Sequence, residues 1–405
     1  MSSITKKTSK LHYDLIHELY YRKSASCNEL SAATRKSIPL VTKIVNELID
    51  MGYVAEGGYA PSSGGRRPLM YSLIKDKLFI VVVAMDRLST RIGIVDLHND
   101  YLAPLAIVDL KLKNNPTALD ELTEHLKNYI KKSGISIDRF IGIGIGMPGF
   151  INVSKGINYT YLEANNKTLK QHLLDETGIP AFIDNDSSLI TLAELKFGSA
   201  KSTMDAMVIN MGWGIGLGMI INGNLYRGHN GFAGEFSHIP ISEENILCSC
   251  GKQGCLEAVA SLLAVAEQAI VGIKNGRISS LAYIDKLSSK VEVGNAILQE
   301  ANNGDQYAIE LIADAAYKIG RGLSILIHIM NPKVIVLSGR SVKVAHLMLA
   351  PIQQALNTYC IPRLFADTEI KVSKLGFDAE LIGASILVME NFGLSISPAK
   401  KSQKI

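Results

Sequence analysis

The sequence predicts an α/β protein: a small winged helix-turn-helix at the N-terminal end, then a body of two α/β lobes. Three observations predict this. Basic charge is concentrated in the first 75 residues, two helix-start signatures follow closely there, and a cadence of buried strands and amphipathic helices runs twice after Phe79. A chain of 405 residues also exceeds what one hydrophobic core of ~250–300 residues accommodates. With 47% hydrophobic and 20% charged residues, disordered and collagen-like classes are excluded. Five cysteines, three of them within Cys248–Cys255, argue against a disulfide scaffold and for a reducing compartment. No apolar run reaches the ~18–20 residues of a membrane span, and MSSITKKTSK lacks the apolar stretch of a secretory signal. The expected location is the cytoplasm, without membrane insertion.

Eleven of the 42 Lys and Arg but only six of the 38 Asp and Glu fall in residues 1–75, so this segment carries +5 and the remainder −1. A basic segment on a neutral body suits a polyanionic partner. Leu11, Leu15, Ile16, Leu19 and Tyr20 recur at helical spacing and predict a first helix. Ser26-Cys-Asn-Glu29 has the capping-box form and opens a second helix ending near Thr34. Ser37 offers another N-cap with Pro39 in the first turn, and Leu40, Val41, Ile44, Val45, Leu48 and Ile49 are expected to face inward. Strands are expected at Tyr53–Glu56 and Leu69–Leu73. Between them lies a Gly/Ser-rich wing ending in Arg66 and Arg67. In a major groove, Arg35, Lys36 and Lys43 would neutralise phosphates, and Ser37, Leu40, Thr42 and Lys43 would reach base edges. Arg66 and Arg67 would suit a minor groove. The alternative for this segment is a protein-interaction module with a basic face.

In the body, Phe79–Met85, Arg91–Asp96 and Ala106–Leu110 read as a strand meander, Leu119–Lys132 as an amphipathic helix and Arg139–Met147 as a strand. The cadence returns with Ala206–Met211, Gly214–Ile221, an Asn222-Gly223 hairpin turn, a long helix over Asp305–Met330 and a strand at Val334–Leu337. Two such units suggest duplicated lobes with a ligand cleft between them. The expected domains are 1–75, 76–190 with a returning helix over 377–393, 191–376, and a loose tail over 394–405. Gly142, Gly144 and Gly146 imitate a dinucleotide fingerprint, but they sit inside a strand and Pro148 follows where a helix should start, so a phosphate role is rejected.

His238, Cys248, Cys250 and Cys255 have the form H-x9-C-x-C-x4-C. Three thiolates and one imidazole suit a tetrahedral, structural Zn²⁺, one per chain, because four protein ligands leave no open position. Cys27 and Cys360 read as packing residues. Around the cysteine segment lie Asp184-Asn185-Asp186, Glu235, His238 and Glu257. Carboxylates and an amide converging on one place suit a polyol, each carboxylate oxygen accepting from a hydroxyl. Asp186 taken alone could equally cap the helix that follows it, or act as a general base.

These residues resemble the ROK family (repressors, open reading frames, sugar kinases), within it the repressor branch of N-acetylglucosamine- and glucose-responsive regulators. The resemblance rests on GGRRP at Gly64–Pro68, DND at Asp184–Asp186, GHNGFAGEFSH at Gly228–His238, CSCGKQGCLE at Cys248–Glu257 and IVLSG at Ile335–Gly339, and spans nearly the whole chain. It implies an actin/hexokinase-like (ribonuclease H-like) body, a structural zinc, and a sugar held by Asn185, Asp186, Glu235, His238 and Glu257, with His238 facing both metal and sugar. It also marks departures from the kinases. Where they carry a D-x-G-G-T-K loop this chain has Asp86-Arg-Leu-Ser-Thr90-Arg91, where they carry G-T-G it has Gly212-Trp213-Gly214, and a late Gly-Gly pair reads Ser338-Gly339-Arg340. Ser237 stands where the family usually has glycine.

The expectation is therefore a sugar-responsive transcriptional repressor. It would bind operator DNA as a homodimer or tetramer and hold a sugar or sugar phosphate without phosphorylating it. The rivals are an ATP-dependent hexose kinase with an appended DNA-binding domain and Asp186 as its base, and a docking platform for a transporter or enzyme.

Overall fold

The computed structural model describes residues 10–61, 67–164, 167–287 and 289–393. The helix-turn-helix consists of α1 (Lys10–Arg22), α2 (Cys27–Thr34) and α3 (Ile38–Asp50). The capping box at the start of α2 is formed: the Glu29 amide donates to Ser26 Oγ at 3.3 Å, and the Ser26 amide donates to Glu29 Oε2 at 2.8 Å. Arg35, left-handed at φ 55°, ends α2 and turns the chain into α3. Ser37 occupies the N-cap position of α3, but its side chain makes no capping bond, so the fixed φ of Pro39 sets that turn instead. Val41, Ile44, Val45 and Leu48 are buried as expected, whereas Leu40, expected to face inward, is 41% exposed. It sits at the margin of the inner face that Val41, Ile44, Val45 and Leu48 fill.

Strands β1 (Ala25–Ser26), β2 (Val54–Tyr59) and β3 (Leu69–Leu73) form a sheet in the order β1-β3-β2, which completes the winged helix. The β2–β3 register shifts between Glu56 and Tyr59. Gly58 lies there at φ +85°, a conformation that side chains rarely adopt. The wing residues 62–66, including Gly64, Gly65 and Arg66, lie outside the described residues, as does the tail expected to be loose.

The body comprises β4 (Phe79–Met85), β5 (Thr90–Asp96), β6 (Ala106–Val108), α4 (Ala118–Ser133), β7 (Phe140–Met147), a small hairpin β8 (Ile151–Asn152) and β9 (Ile157–Asn158), α5 (Leu169–Thr177) and β10 (Ala181–Asn185). There follow α6 (Asp186–Lys196), β11 (Ala206–Met211), β12 (Ile215–Ile221), β13 (Asn224–Tyr226), α7 (Leu256–Ala260), α8 (Leu262–Lys274), α9 (Lys290–Asn302) and α10 (Gln306–Met330). The chain closes with β14 (Val334–Ser338), α11 (Ala345–Tyr359), α12 (Pro362–Phe365), β15 (Glu369–Val372) and α13 (Ala379–Asn391).

Two five-stranded sheets have matching orders, β6-β5-β4-β7-β10 and β13-β12-β11-β14-β15. In each, an antiparallel meander supplies three strands and a parallel neighbour of the first strand continues the sheet, β7 beside β4 and β14 beside β11. The turn from β12 to β13 is the expected Asn222-Gly223, both residues at positive φ. Asn and Gly tolerate that region best, and the hairpin's twist requires it.

The chain divides into two compact units. One contains the winged helix, residues up to Met85, Ser89–Asp184 and the chain from Ala384. The other contains Asp86–Leu88 and Asn185–Gly383. The divisions thus fall at 85/86, 88/89, 184/185 and 383/384, where the sequence suggests 190/191 and 376/377, and none falls at 75/76. The reason for the last is visible within the first unit. Tyr20 of α1 is fully buried, donates to Asn99 Oδ1 at 2.8 Å and meets Ser385 Oγ at 2.8 Å, while Tyr13 packs edge-on to Phe392 at 5.1 Å. The glycine alternation in β7 serves packing there, since a Cβ on Gly144 would lie 2.1 Å from the Ala384 carbonyl oxygen of α13. In the second unit a continuous core runs from β11 and β14 through Leu256, Val265 and Ile297 to Leu323 and Ile352.

Candidate functional site

The cysteine segment folds back on itself. The Ile241 amide donates to the Gly254 carbonyl at 2.9 Å and the Gly251 amide to the Cys248 carbonyl at 2.9 Å. Gly254 is obligatory, at φ +72° with room for a Cβ closed off by the Ser242 carbonyl at 2.2 Å. This brings one ligand atom from each of His238, Cys248, Cys250 and Cys255 within 4.8 Å of one another. Cys248 Sγ stands 3.6 Å from His238 Nδ1, and Cys250 Sγ 3.6 Å from Cys255 Sγ. A tetrahedron with metal–sulfur bonds of ~2.3 Å and metal–nitrogen bonds of ~2.0–2.1 Å has edges of about 3.5–3.8 Å, which both of these separations match, and the cluster could hold a metal ion. Burial pushes the Cys255 thiol up to about 12, a cost that a cation among the sulfurs reverses. His238 Nδ1 faces the sulfurs, and its Nε2 lies 3.7 Å from Glu235 Oε2.

Cys255 stands at the N-cap of α7, so the metal loop and Glu257 are fixed to one short helix. Glu257 is buried and pairs with Arg87 at 2.9 Å. Gly214 gives its carboxylate room, because a Cβ there would lie 2.8 Å from Glu257 Oε2. Asn185, not Asp186, caps α6: its Oδ1 accepts from the amides of Ser187 at 3.0 Å and Ser188 at 3.3 Å. Asp186 is the first residue of the helix. Its Oδ1 accepts from the Ser187 amide at 2.7 Å and hydroxyl at 3.2 Å, and its Oδ2 from Asn210 Nδ2 at 3.2 Å. Burial pushes the Asp186 carboxyl up to about 6, with the Ser187 hydrogen bonds and the Arg87 charge pulling it back. Asn185, Asp186, Glu235, His238 and Glu257 all belong to the second unit, together with Arg87. Ser237 is buried.

Residues from all three segments that depart from the kinase pattern meet in one assembly. The Arg340 guanidinium lies 4.7 Å from the Trp213 ring and 4.5 Å from the Phe377 ring. It donates to Asp86 Oδ2 at 3.2 Å, and the Trp213 indole N–H donates to the same oxygen at 3.2 Å. Asp86 Oδ1 accepts from the Leu88 amide at 2.8 Å. Trp213 is buried against α9, where Gly294 leaves space that a Cβ would close to 2.5 Å.

On the winged helix, Arg35, Lys36, Ser37, Leu40, Lys43 and Arg67 are exposed and Thr42 is half-buried. Lys43 is held only loosely, 3.9 Å from Glu47. Sequence reasoning missed Arg87 and Asn210 as neighbours of the carboxylates, and it treated Arg340 only as a missing glycine. The unusual Asp86-Arg87 pair was the one available signal, while Asn210 carried none.

Comparison with protein families matches residues 94–391 to the ROK family. A glucokinase of Halalkalibacterium halodurans is 34% identical over 274 residues, 67% of this chain and 82% of its own length. A xylose repressor of Caldicellulosiruptor bescii is 30% identical over 362 residues, 87% of this chain and 88% of its own. Among solved structures, a ROK family transcriptional regulator described as a homologue of the Escherichia coli Mlc protein superposes with a TM-score of 0.75. It is 25% identical, and the match covers 94% of this chain and 96% of that one.

Proposed function

Because the chain belongs to the ROK family, we propose that it is a sugar-responsive transcriptional regulator, a repressor that grips operator DNA through its winged helix and holds a sugar or sugar phosphate without phosphorylating it. The observation that carries the choice between regulator and kinase is the Asp86–Trp213–Arg340–Phe377 assembly. A nucleotide needs glycine backbone and unengaged donors at its phosphates. Here Leu88 and Ser89 stand where the kinases carry the first glycine pair, Trp213 stands at the threonine of G-T-G, and Arg340 stands in the late glycine pair, with the indole and the guanidinium both bound to Asp86.

The sugar would lie against Asn185, Asp186, Glu235, His238 and Glu257. Asp186 and Glu257 accept from hydroxyls, and Arg87 holds the Glu257 carboxylate in place through their ion pair. Asn185 has committed its oxygen to the helix cap, so its amide donates. The cysteine cluster would hold one structural Zn²⁺ per chain, which ties the loop together and fixes the ring of His238 so that Nε2 faces Glu235. A homodimer on a twofold operator follows from the symmetry of such sites. Effector binding shifts operator occupancy by no more than its differential affinity for the two states, typically ~1–3 kcal/mol.

The kinase reading retains two supports of its own. Asp186, pushed up to about 6, is suited to accept a hydroxyl proton, and the glucokinase relative is 34% identical. Two measurements decide. A thermal-shift panel of monosaccharides and their phosphates should show stabilisation by one of them. A coupled assay with Mg·ATP and that sugar should show no turnover, and a rate of ~1–100 s⁻¹ would overturn the regulator reading.

A further inference from the structure

The turn into α3 presents Arg35, Lys36, Ser37, Ile38, Pro39 and Leu40 as an unbroken exposed run. Ile38 is 48% and Leu40 41% exposed. The helix does not lack apolar residues for its core, since Val41, Ile44, Val45 and Leu48 already fill its inner face. The two aliphatic side chains therefore form a small apolar tip that nothing described in the fold covers. Cations surround it: Arg35 and Lys36 precede it, and Lys43 follows one turn on with its side chain 72% exposed. From Arg35 to Asn46 the sequence carries no carboxylate.

An apolar tip inside a cationic rim fits a surface with methyl groups set among phosphates. The major groove of DNA has one such group, the C5-methyl of thymine; the other base-edge features there are donors and acceptors. We propose that Ile38 and Leu40 read thymine methyls, so that each operator half-site carries T·A pairs at the positions they face. Pro39 sets the first turn and the cations seat the phosphates, which leaves the two aliphatic chains to discriminate sequence. This inference rests on the operator-binding reading above and adds the chemistry of recognition to it.

The test uses the full-length protein. Operators are first selected from a random duplex pool. In the enriched sequence each thymine is then replaced singly by deoxyuridine, which removes the methyl and keeps the pairing. One or two replacements per half-site should weaken binding about fourfold each, the weight of one buried methyl group. The I38A/L40A double variant should bind the thymine operator more weakly and lose nothing further at those deoxyuridine positions. Its melting temperature should be unchanged, because both side chains are exposed. Deoxyuridine replacements that are neutral throughout, or a penalty that persists in full in the double variant, would overturn the inference. So would a double variant whose oligomeric state changes by sedimentation while its sequence preference does not, which would assign the tip to a second copy of the chain. Absence of any enriched sequence would instead remove the operator-binding reading itself.

Discussion

Replacing Arg340 by alanine tests the assembly on which the proposed choice of regulator over kinase rests. The substitution removes a guanidinium held between rings at 4.7 and 4.5 Å and its hydrogen bond of 3.2 Å to Asp86. The Arg340 and Asp86 side chains are 13% and 26% exposed, so water only partly re-solvates the carboxylate left behind. Each desolvated cation–π contact contributes ~1–2 kcal/mol, and stranding one member of a fully buried pair costs ~3–5 kcal/mol. Because Asp86 keeps some exposure and the Trp213 and Leu88 donors, and because such contributions overlap, a net destabilisation of about 2–4 kcal/mol is expected. For a unit of this size that lowers the melting temperature by roughly 5–15 °C. Calorimetry of wild type, R340A, W213L and the double variant measures both the loss and the coupling, which should be about 1 kcal/mol. A melting temperature within a degree of wild type, or strictly additive single effects, would refute the reasoning.

Cys250→Ser should release the metal, read as a zinc-to-protein ratio falling from one toward zero by elemental analysis; a retained ion would show that the four-ligand set is misassigned. Asp186 gives a pH dependence whose sign follows from its raised pKa of about 6. Between the ordinary carboxylate range and pH 6 the folded state binds the proton that the unfolded state has lost, so stability falls as pH rises through this window. Asp186→Asn should remove that slope and gain on the order of 2 kcal/mol over wild type by pH 7 in paired thermal melts, while wild-type sugar affinity should weaken below pH 6 as the accepting carboxylate protonates. Lys43→Ala should weaken operator binding across sequences and reduce the slope of log K against log salt by about one, measured by fluorescence anisotropy.

Local signals were legible wherever the chemistry closes over a few residues. The Ser26–Glu29 capping box, the Asn222-Gly223 turn and the donor cluster His238, Cys248, Cys250 and Cys255 are all visible as spacings, because each is satisfied within one loop or turn. Leu40 misled because helical periodicity counts apolar positions on a face without registering how wide a stripe of that face is covered. Asp186 was weighed as a helix cap, while the structure gives the capping bonds to Asn185; adjacent Asn and Asp compete for that place, and sequence offers no arbiter between them. The partners of Arg87 and Arg340 were illegible for a different reason: Glu257 lies 170 residues beyond the first and Asp86 lies 254 residues before the second. Such pairs are brought together by the topology of the second unit, not by any local pattern.

The crowding of donors on Asp86 also constrains how such a chain can change over generations. Exchanging Trp213 alone for a small residue takes one ring from Arg340 and one donor from Asp86, exchanging Arg340 alone takes the cation from Asp86, and enlarging Gly294 first collides with the indole. The side chains therefore answer to substitution as one unit, since a change at Trp213 or at Arg340 is felt at the single carboxylate oxygen to which both donate.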